Sequence, residues 1–274
     1  MSVGSRTKID WCDATWNPVT GCLHGCEYCY ARRMAERFGL PYAPKLGDPG
    51  MEGAKKYDGP GGIDTMLELE KPYEKDGRKQ PYPMGFLPTL HRYRLDVPSR
   101  WTRPRTIFVC SMADLFGDWV PDEWIISVFN TCRIANWHRY IFLSKNPQRY
   151  NDLIMKGLLP MENNFWYGST RTGVDSAREH EAACLVNRFL SVEPILAPME
   201  TETLRALELW GWVIVGAETG NRKDKVIPKR DWIMEIKEQC DVCGIPIFMK
   251  ESIREIMGDD FRQEFPWEVQ GRDE

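Results

Sequence analysis

No stretch of the 274 residues approaches the roughly 20 consecutive apolar residues that a membrane-crossing helix needs, so a membrane-spanning protein is not expected. Charge of one sign is scarce too. A net charge of −4 excludes a protein that coats a polyanion over its whole surface and leaves only local basic patches. Histidine is limited to four residues, and His91, His138 and His180 lack any metal-ligand spacing. The chain opens on MSVGSRTKID with no apolar run behind a charged start, so no secretory signal is expected. Nine cysteines, an odd number in a chain of this size, then argue against a disulfide framework. The expected compartment is reducing and cytoplasmic.

What is present begins with TWNPVTGCLHGCEYCYARRMAERFG, Thr15 to Gly39, where Cys22, Cys26 and Cys29 crowd into a turn before a basic helix pattern stopped by Gly39. A disulfide joins two cysteines and strains a tight loop, so a third thiol nearby points to another chemistry. C-x3-C-x2-C offers three soft thiolates to one metal centre, either zinc or an iron–sulfur cluster. A structural zinc requires a fourth ligand, for which His24 or Cys12 stands in reach. A four-iron cluster held by three cysteines keeps one iron open. Tyr28, directly before Cys29, supplies a ring able to shield such a centre or flank an adenine. The remaining cysteines have plainer readings. Cys110, Cys132 and Cys184 fall in strand or helix patterns as small buried hydrophobes, and Cys240 with Cys243 packs one helix face, with a redox pair or an auxiliary cluster as the alternative.

Short apolar runs rich in β-branched and aromatic residues recur at 106–110, 139–143, 164–168, 188–192, 211–215 and 245–249, with helix-length segments between them. Two of those segments read as helices: 121–137, opened by Pro121 and Asp122, and 229–243. With one strand before Cys22, about seven right-handed βα units and a parallel sheet follow. The fold class is α/β, a partial or complete (β/α) barrel, with an open doubly wound sheet as the other option. Both place chemistry at the carboxyl ends of the strands, which here deliver Ser111 and Asp114, Ser144 to Asn146, Ser169 and Arg171, Glu193, Gly216 and Glu218, and Lys250. Polar residues at strand ends also arise simply because strands end in solvent.

Residues 41–98 are rich in Gly, Pro, Lys and Asp and lack periodicity. They read as an insertion after the first helix: a lid, a substrate-gripping element or a surface loop. Three stretches interleave Arg with aromatics, at 91–94, 100–105 and 148–150, as flipped-base or single-strand binders do; a solvated rim is the alternative.

The stretch CLHGCEYC after a first strand resembles the signature of the radical SAM superfamily. FVCSMADLFGDWVP, FLSVEP, WVIVGAETG and GIPIFMKE resemble further motifs of a phage-associated three-cysteine subgroup without an assigned general activity, a likeness extending over most of Ile9 to Glu251. The acidic Gly-Gly-Glu motif usual after the second strand is replaced by Ser111-Met112-Ala113-Asp114. The resemblance implies that all 274 residues form one radical SAM domain. Cys22, Cys26 and Cys29 would ligate a [4Fe–4S] cluster whose open iron chelates S-adenosylmethionine, and one-electron cleavage would yield a 5′-deoxyadenosyl radical. A flavodoxin-like or ferredoxin-like protein would supply the electron.

On that reading Tyr28, Ser111, Asp114, Ser169, Arg171 and Gly216 would contact the cofactor, with Ser111 and Asp114 at the methionine amino group, Ser169 and Arg171 at ribose and carboxylate, and Gly216 at adenine. Glu193, Glu218 and Lys250 would handle substrate at one side of a barrel mouth or pair among themselves. The expected substrate is a nucleobase or modified nucleotide, such as a thymidine hypermodified in phage DNA; a peptide, a small molecule or a non-catalytic zinc module are the alternatives.

Overall fold

The computed structural model describes residues 7–40, 43–59, 63–174, 185 and 187–269. Seven strands form one parallel sheet bent into a half-barrel. The chain runs β1 (Ala14–Trp16), β2 (Val19–Thr20), α1 (Tyr30–Phe38), β3 (Lys55–Gly59), β4 (Ile63–Leu69), β5 (Glu74–Lys75), β6 (Arg78–Lys79), β7 (Thr89–His91), β8 (Thr106–Val109), α2 (Asp122–Ile134), β9 (Arg139–Ser144), α3 (Gln148–Met155), β10 (Phe165–Arg171), β11 (Arg188–Val192), α4 (Thr201–Arg205), β12 (Trp212–Val215), α5 (Arg230–Cys243), β13 (Ile247–Met249), α6 (Arg254–Met257) and α7 (Pro266–Val269). The sheet order is β1-β8-β9-β10-β11-β12-β13. The expected α/β half-barrel is thus the fold, and its strand positions agree with the apolar runs to within a few residues.

The strands form where they do because their sequences suit burial on both faces. β8, β12 and β13 are buried at every position, the continuous apolar pattern of a covered parallel sheet. Parallel strands cannot be joined by tight turns, so the intervening segments must be crossovers. α5 ends at Gly244, whose left-handed φ of 67° lets its N–H reach back to the carbonyls of Asp241 and Cys240.

The chain divides into two compact units, one taking Cys12–Pro160 and the other Lys8–Trp11 with the residues from Met161 onward. The first unit carries, besides β1, β8 and β9, a four-stranded sheet in the order β2-β7-β4-β3. The 41–98 insertion therefore contains strands of its own, anchored on the two-residue strand just before the cysteine loop. A small core of Met51, Leu67, Leu69, Tyr73 and Met84 holds it. Its buried polar groups are satisfied: Glu68 accepts from Trp124 Nε1 at 2.7 Å and Arg92 Nε at 2.8 Å, and His91 Nε2 lies 2.8 Å from Thr20 Oγ1.

The second unit packs Leu190, Val192, Val213, Val215, Ile247 and Met249 of its strands against Ile233, Ile236 and Cys240 of α5. Cys110 and Cys132 are buried as expected. Cys184 and His180 lie outside the described residues. No helix among the described residues is long and apolar enough to cross a membrane.

Candidate functional site

Within the first unit, backbone bonds pin the loop from Gly21 to Cys29 between β2 and α1. The Gly21 N–H donates to Met112 O at 2.9 Å and the Cys22 N–H to Phe86 O at 3.2 Å. Position 21 must be glycine: φ is 88°, and a Cβ there would meet Leu87 O at 2.2 Å. The Cys29 N–H closes a turn onto Cys26 O at 3.2 Å. Cys29 then caps α1, its Sγ accepting from the Arg32 N–H at 3.4 Å, so the positive end of the helix faces that sulfur. Cys22, Cys26 and Cys29 are all unbridged and half-buried. Burial pushes the Cys22 thiol up to about 12, helped by the nearby Asp114 carboxylate and opposed by a backbone hydrogen bond at His24. A thiol in that setting stays protonated until a cation displaces the proton.

Asp114 organises the surroundings of the loop. It is only 5 % exposed, and its two oxygens take four bonds. Oδ1 accepts from the Phe116 N–H at 3.0 Å and Ser144 Oγ at 2.8 Å; Oδ2 meets His24 Nε2 at 2.7 Å and accepts from the Lys145 N–H at 2.9 Å. The carboxylate therefore ties the cysteine loop to the exits of β8 and β9. This bonding differs from the expected role at a methionine amino group. Trp119 stands edge-on to His24 at 4.9 Å between ring centroids, and Gly117 gives it room, since a Cβ there would lie 2.3 Å from the Trp119 ring. Lys145 holds its ammonium 5.4 Å from the centre of the Tyr28 ring, which puts a cation beside the residue between Cys26 and Cys29. Ser111 donates to Asn17 Oδ1 at 3.2 Å, and its carbonyl accepts from the Tyr30 hydroxyl at 2.7 Å.

A fit to metal can be tested on this donor set. The Nε2 of His24 is bonded to Asp114, which leaves Nδ1 as the ring nitrogen able to face a metal. Among the described residues, no group of three or more His, Cys, Asp or Glu side chains is drawn up around a single ion. Three thiols in a turn, one facing a helix N-terminus, suit a larger thiophilic centre with an open position.

In the second unit the predicted residues fall into two pairs. Lys250 bonds Glu193, and Gly216 makes room for them: a Cβ there would lie 2.9 Å from Lys250 Cδ and 3.4 Å from Glu193 Cδ. The absent side chain at 216 thus leaves room for an ion pair. Glu218 does not join Lys250. Its buried carboxylate takes both Nε and Nη2 of Arg222 at 2.8 Å, a bidentate clamp. Ser169 and Arg171 are buried in β10 at 3 % and 7 % exposure, and the Arg171 carbonyl accepts from the Glu193 N–H at 3.1 Å.

Sequence reasoning placed Ser144 and Lys145 at a strand exit without giving them a role, and it missed Asn17, Trp119 and Arg222. Several members of the Arg/aromatic stretches are internal fastenings, while Arg100 and Arg103 are exposed. Arg92 goes to Glu68, Arg149 to Asp122, Arg105 lies over Trp101, and Tyr150 is 2 % exposed. Exposed cations also gather in the loop after β12, where Lys223, Lys225 and Lys229 stand beside Asp224 and the half-buried Arg222, and Arg230, the first residue of α5, pairs with Asp260.

Three solved structures share the fold. Spore photoproduct lyase complexed with dinucleoside spore photoproduct aligns over 90% of this chain and 79% of its own, with a TM-score of 0.51 at 9% identity. A cysteine-to-alanine mutant of that lyase with the same dinucleoside gives 0.52 at 9% identity over the same shares. The same mutant alone gives 0.50 at 8% identity, again over 90% of this chain and 79% of its own. No curated protein matches the chain. Residues 6–256 match a family described as protein of unknown function (DUF5131), and the chain belongs to that family.

Proposed function

We propose that this protein is a radical SAM enzyme acting on a nucleobase or modified nucleotide, and that its 274 residues work as one domain with 41–98 inserted after α1. The observation that carries the proposal is the set of three unbridged, half-buried thiols of Cys22, Cys26 and Cys29, held by a pinned loop at the start of a parallel half-barrel. These residues would hold a [4Fe–4S] cluster, which with S-adenosylmethionine supplies a 5′-deoxyadenosyl radical for hydrogen abstraction. The likeness in fold to spore photoproduct lyase, a radical SAM enzyme, supports the reading.

The chain's own residues have separable tasks. Gly21, His24 and Asp114 fix the cysteine loop. Tyr28 shields it, and Lys145 places positive charge beside Tyr28 and so beside the cysteine loop. Ser111, Ser169, Arg171 and Gly216 border the cofactor. Lys250, held ready by Glu193, and Arg222, held by Glu218, handle substrate. The nucleotide assignment draws on the basic loop after β12, because phosphates are bound chiefly by clustered Lys and Arg. In its narrowest form the substrate is thymidine within phage DNA, modified in a host cytoplasm.

Iron, sulfide and zinc analysis of anaerobically purified protein tests the core of the reading. Brown protein with about four irons and four sulfides per chain is expected. Cys22→Ala, Cys26→Ala and Cys29→Ala should each lose the cluster, with Cys110→Ala retaining it. Colourless protein loaded with zinc, or equal iron in all four variants, would end the proposal.

A further inference from the structure

The outer face of α1 carries an apolar stripe that the fold leaves in solvent. Tyr30, Met34 and Phe38, spaced i, i+4, i+8, are 44%, 40% and 46% exposed, while the adjoining face buries Ala31 and Ala35. Residues four apart on a helix are neighbours, so the three form one continuous strip. Leu23, in the cysteine loop itself, is another large apolar residue left 37% exposed. A single exposed hydrophobe needs no explanation; a contiguous strip on a helix that starts one residue after Cys29 does.

Charge sets the kind of partner. Arg33 and Arg37 are themselves four apart and run alongside the strip, while Glu36 falls on its far side. Arg37 covers the Phe38 ring at 5.2 Å, so its cationic head and the apolar surface form one mixed patch. An apolar centre edged by guanidinium groups matches a protein with an acidic rim around an apolar contact, because complementary charge at the edge of an interface steers encounter. A polyanionic nucleic acid would use the arginines but leave Met34 and Phe38 without a role.

We infer that the Tyr30–Met34–Phe38 strip with Arg33 and Arg37 is the docking surface for an acidic one-electron carrier protein that reduces the centre held by Cys22, Cys26 and Cys29. The inference rests on the cluster reading above. One electron leaves the carrier, which is oxidised, and enters the cluster, which is reduced; no proton or atom moves. Electron transfer weakens steeply with distance, and the helix that caps itself with a ligand cysteine offers a short approach.

Reduced flavodoxin serves as the probe, with dithionite as a small reductant that needs no docking surface. Cluster content, the flavodoxin Kd and the rate of cluster bleaching are measured for wild type, Met34→Glu and Arg37→Glu. Met34→Glu should weaken flavodoxin binding and slow its reaction by about tenfold or more. Arg37→Glu should also flatten the dependence of that rate on salt. Dithionite should reduce all three alike. Wild-type protein without a cluster would overturn the function reading. Intact clusters reduced by flavodoxin at equal rates in all three proteins would overturn the docking surface alone. Loss of oligonucleotide binding in the variants with unchanged flavodoxin kinetics would assign the strip to nucleic acid and equally overturn the inference.

Discussion

Replacing Asp114 with Asn removes one oxygen from a carboxylate that has four partners, at 2.7, 2.8, 2.9 and 3.0 Å. The amide must turn its NH2 toward one pair of them. If it replaces Oδ2, His24 can adapt by changing tautomer, but the Lys145 N–H cannot. If it replaces Oδ1, Ser144 can rotate, but the Phe116 N–H cannot. One buried backbone donor is orphaned either way, costing about 1–3 kcal/mol, and the remaining bonds lose the strength of an ionised acceptor, about 1 kcal/mol more. The expected loss is about 2–4 kcal/mol, a large part of a typical domain's stability. Urea unfolding should show it as a lower midpoint with an unchanged slope. Because His24 sits in the cysteine loop, the variant should also yield iron to a chelator faster. A midpoint shift worth less than about 0.5 kcal/mol, with wild-type iron retention, would refute the idea that Asp114 anchors the loop.

Burial holds His91 well below its ordinary value near 6.5, and the Arg94 charge adds to this. The unfolded chain therefore takes up a proton below about pH 6.5 that the folded chain refuses. Stability should fall with decreasing pH by about 1.4 kcal/mol per unit from this group, until the folded value is reached. His91→Gln should flatten that slope in urea titrations between about pH 5 and 7, and an unchanged slope would contradict it. Lys250→Met should leave cluster content and uncoupled release of 5′-deoxyadenosine unchanged while abolishing product. Loss of the cluster would mark Lys250 as structural, and normal product yield would mark it as irrelevant. Lys223→Ala with Lys225→Ala should lower the slope of log binding constant against log salt by about two for a duplex oligonucleotide. Unchanged slope and affinity would remove the basic loop from substrate binding.

The sequence alone determined the parallel α/β sheet, because a strand covered on both faces reads as a short, mostly apolar run. TIFV, RFLSV and WVIV have that form, and helix-length gaps between such runs force parallel pairing. It determined the cysteine loop for a similar reason: three thiols in eight residues are close whatever the fold. The 41–98 region was harder. Its strands are short and polar, and its small core assembles residues far apart in sequence, although EKDGRK did hold a hairpin signal. Asp76 and Gly77 take φ values of 52° and 70°, as a two-residue turn between β5 and β6 requires.

Side-chain partnerships were settled only by tertiary structure. Asp114 reaches His24 across 90 positions, and Lys250 reaches Glu193 across 57. Arg92 and Arg149, which alternate with aromatics in sequence, proved to be spent on Glu68 and Asp122, while Lys223, Lys225 and Lys229 gathered in a loop with no aromatic at all. Periodicity reports which face of an element is buried, since burial repeats along the chain; it carries no record of which charges meet, because each such meeting depends on a single pair of positions brought together by the whole fold.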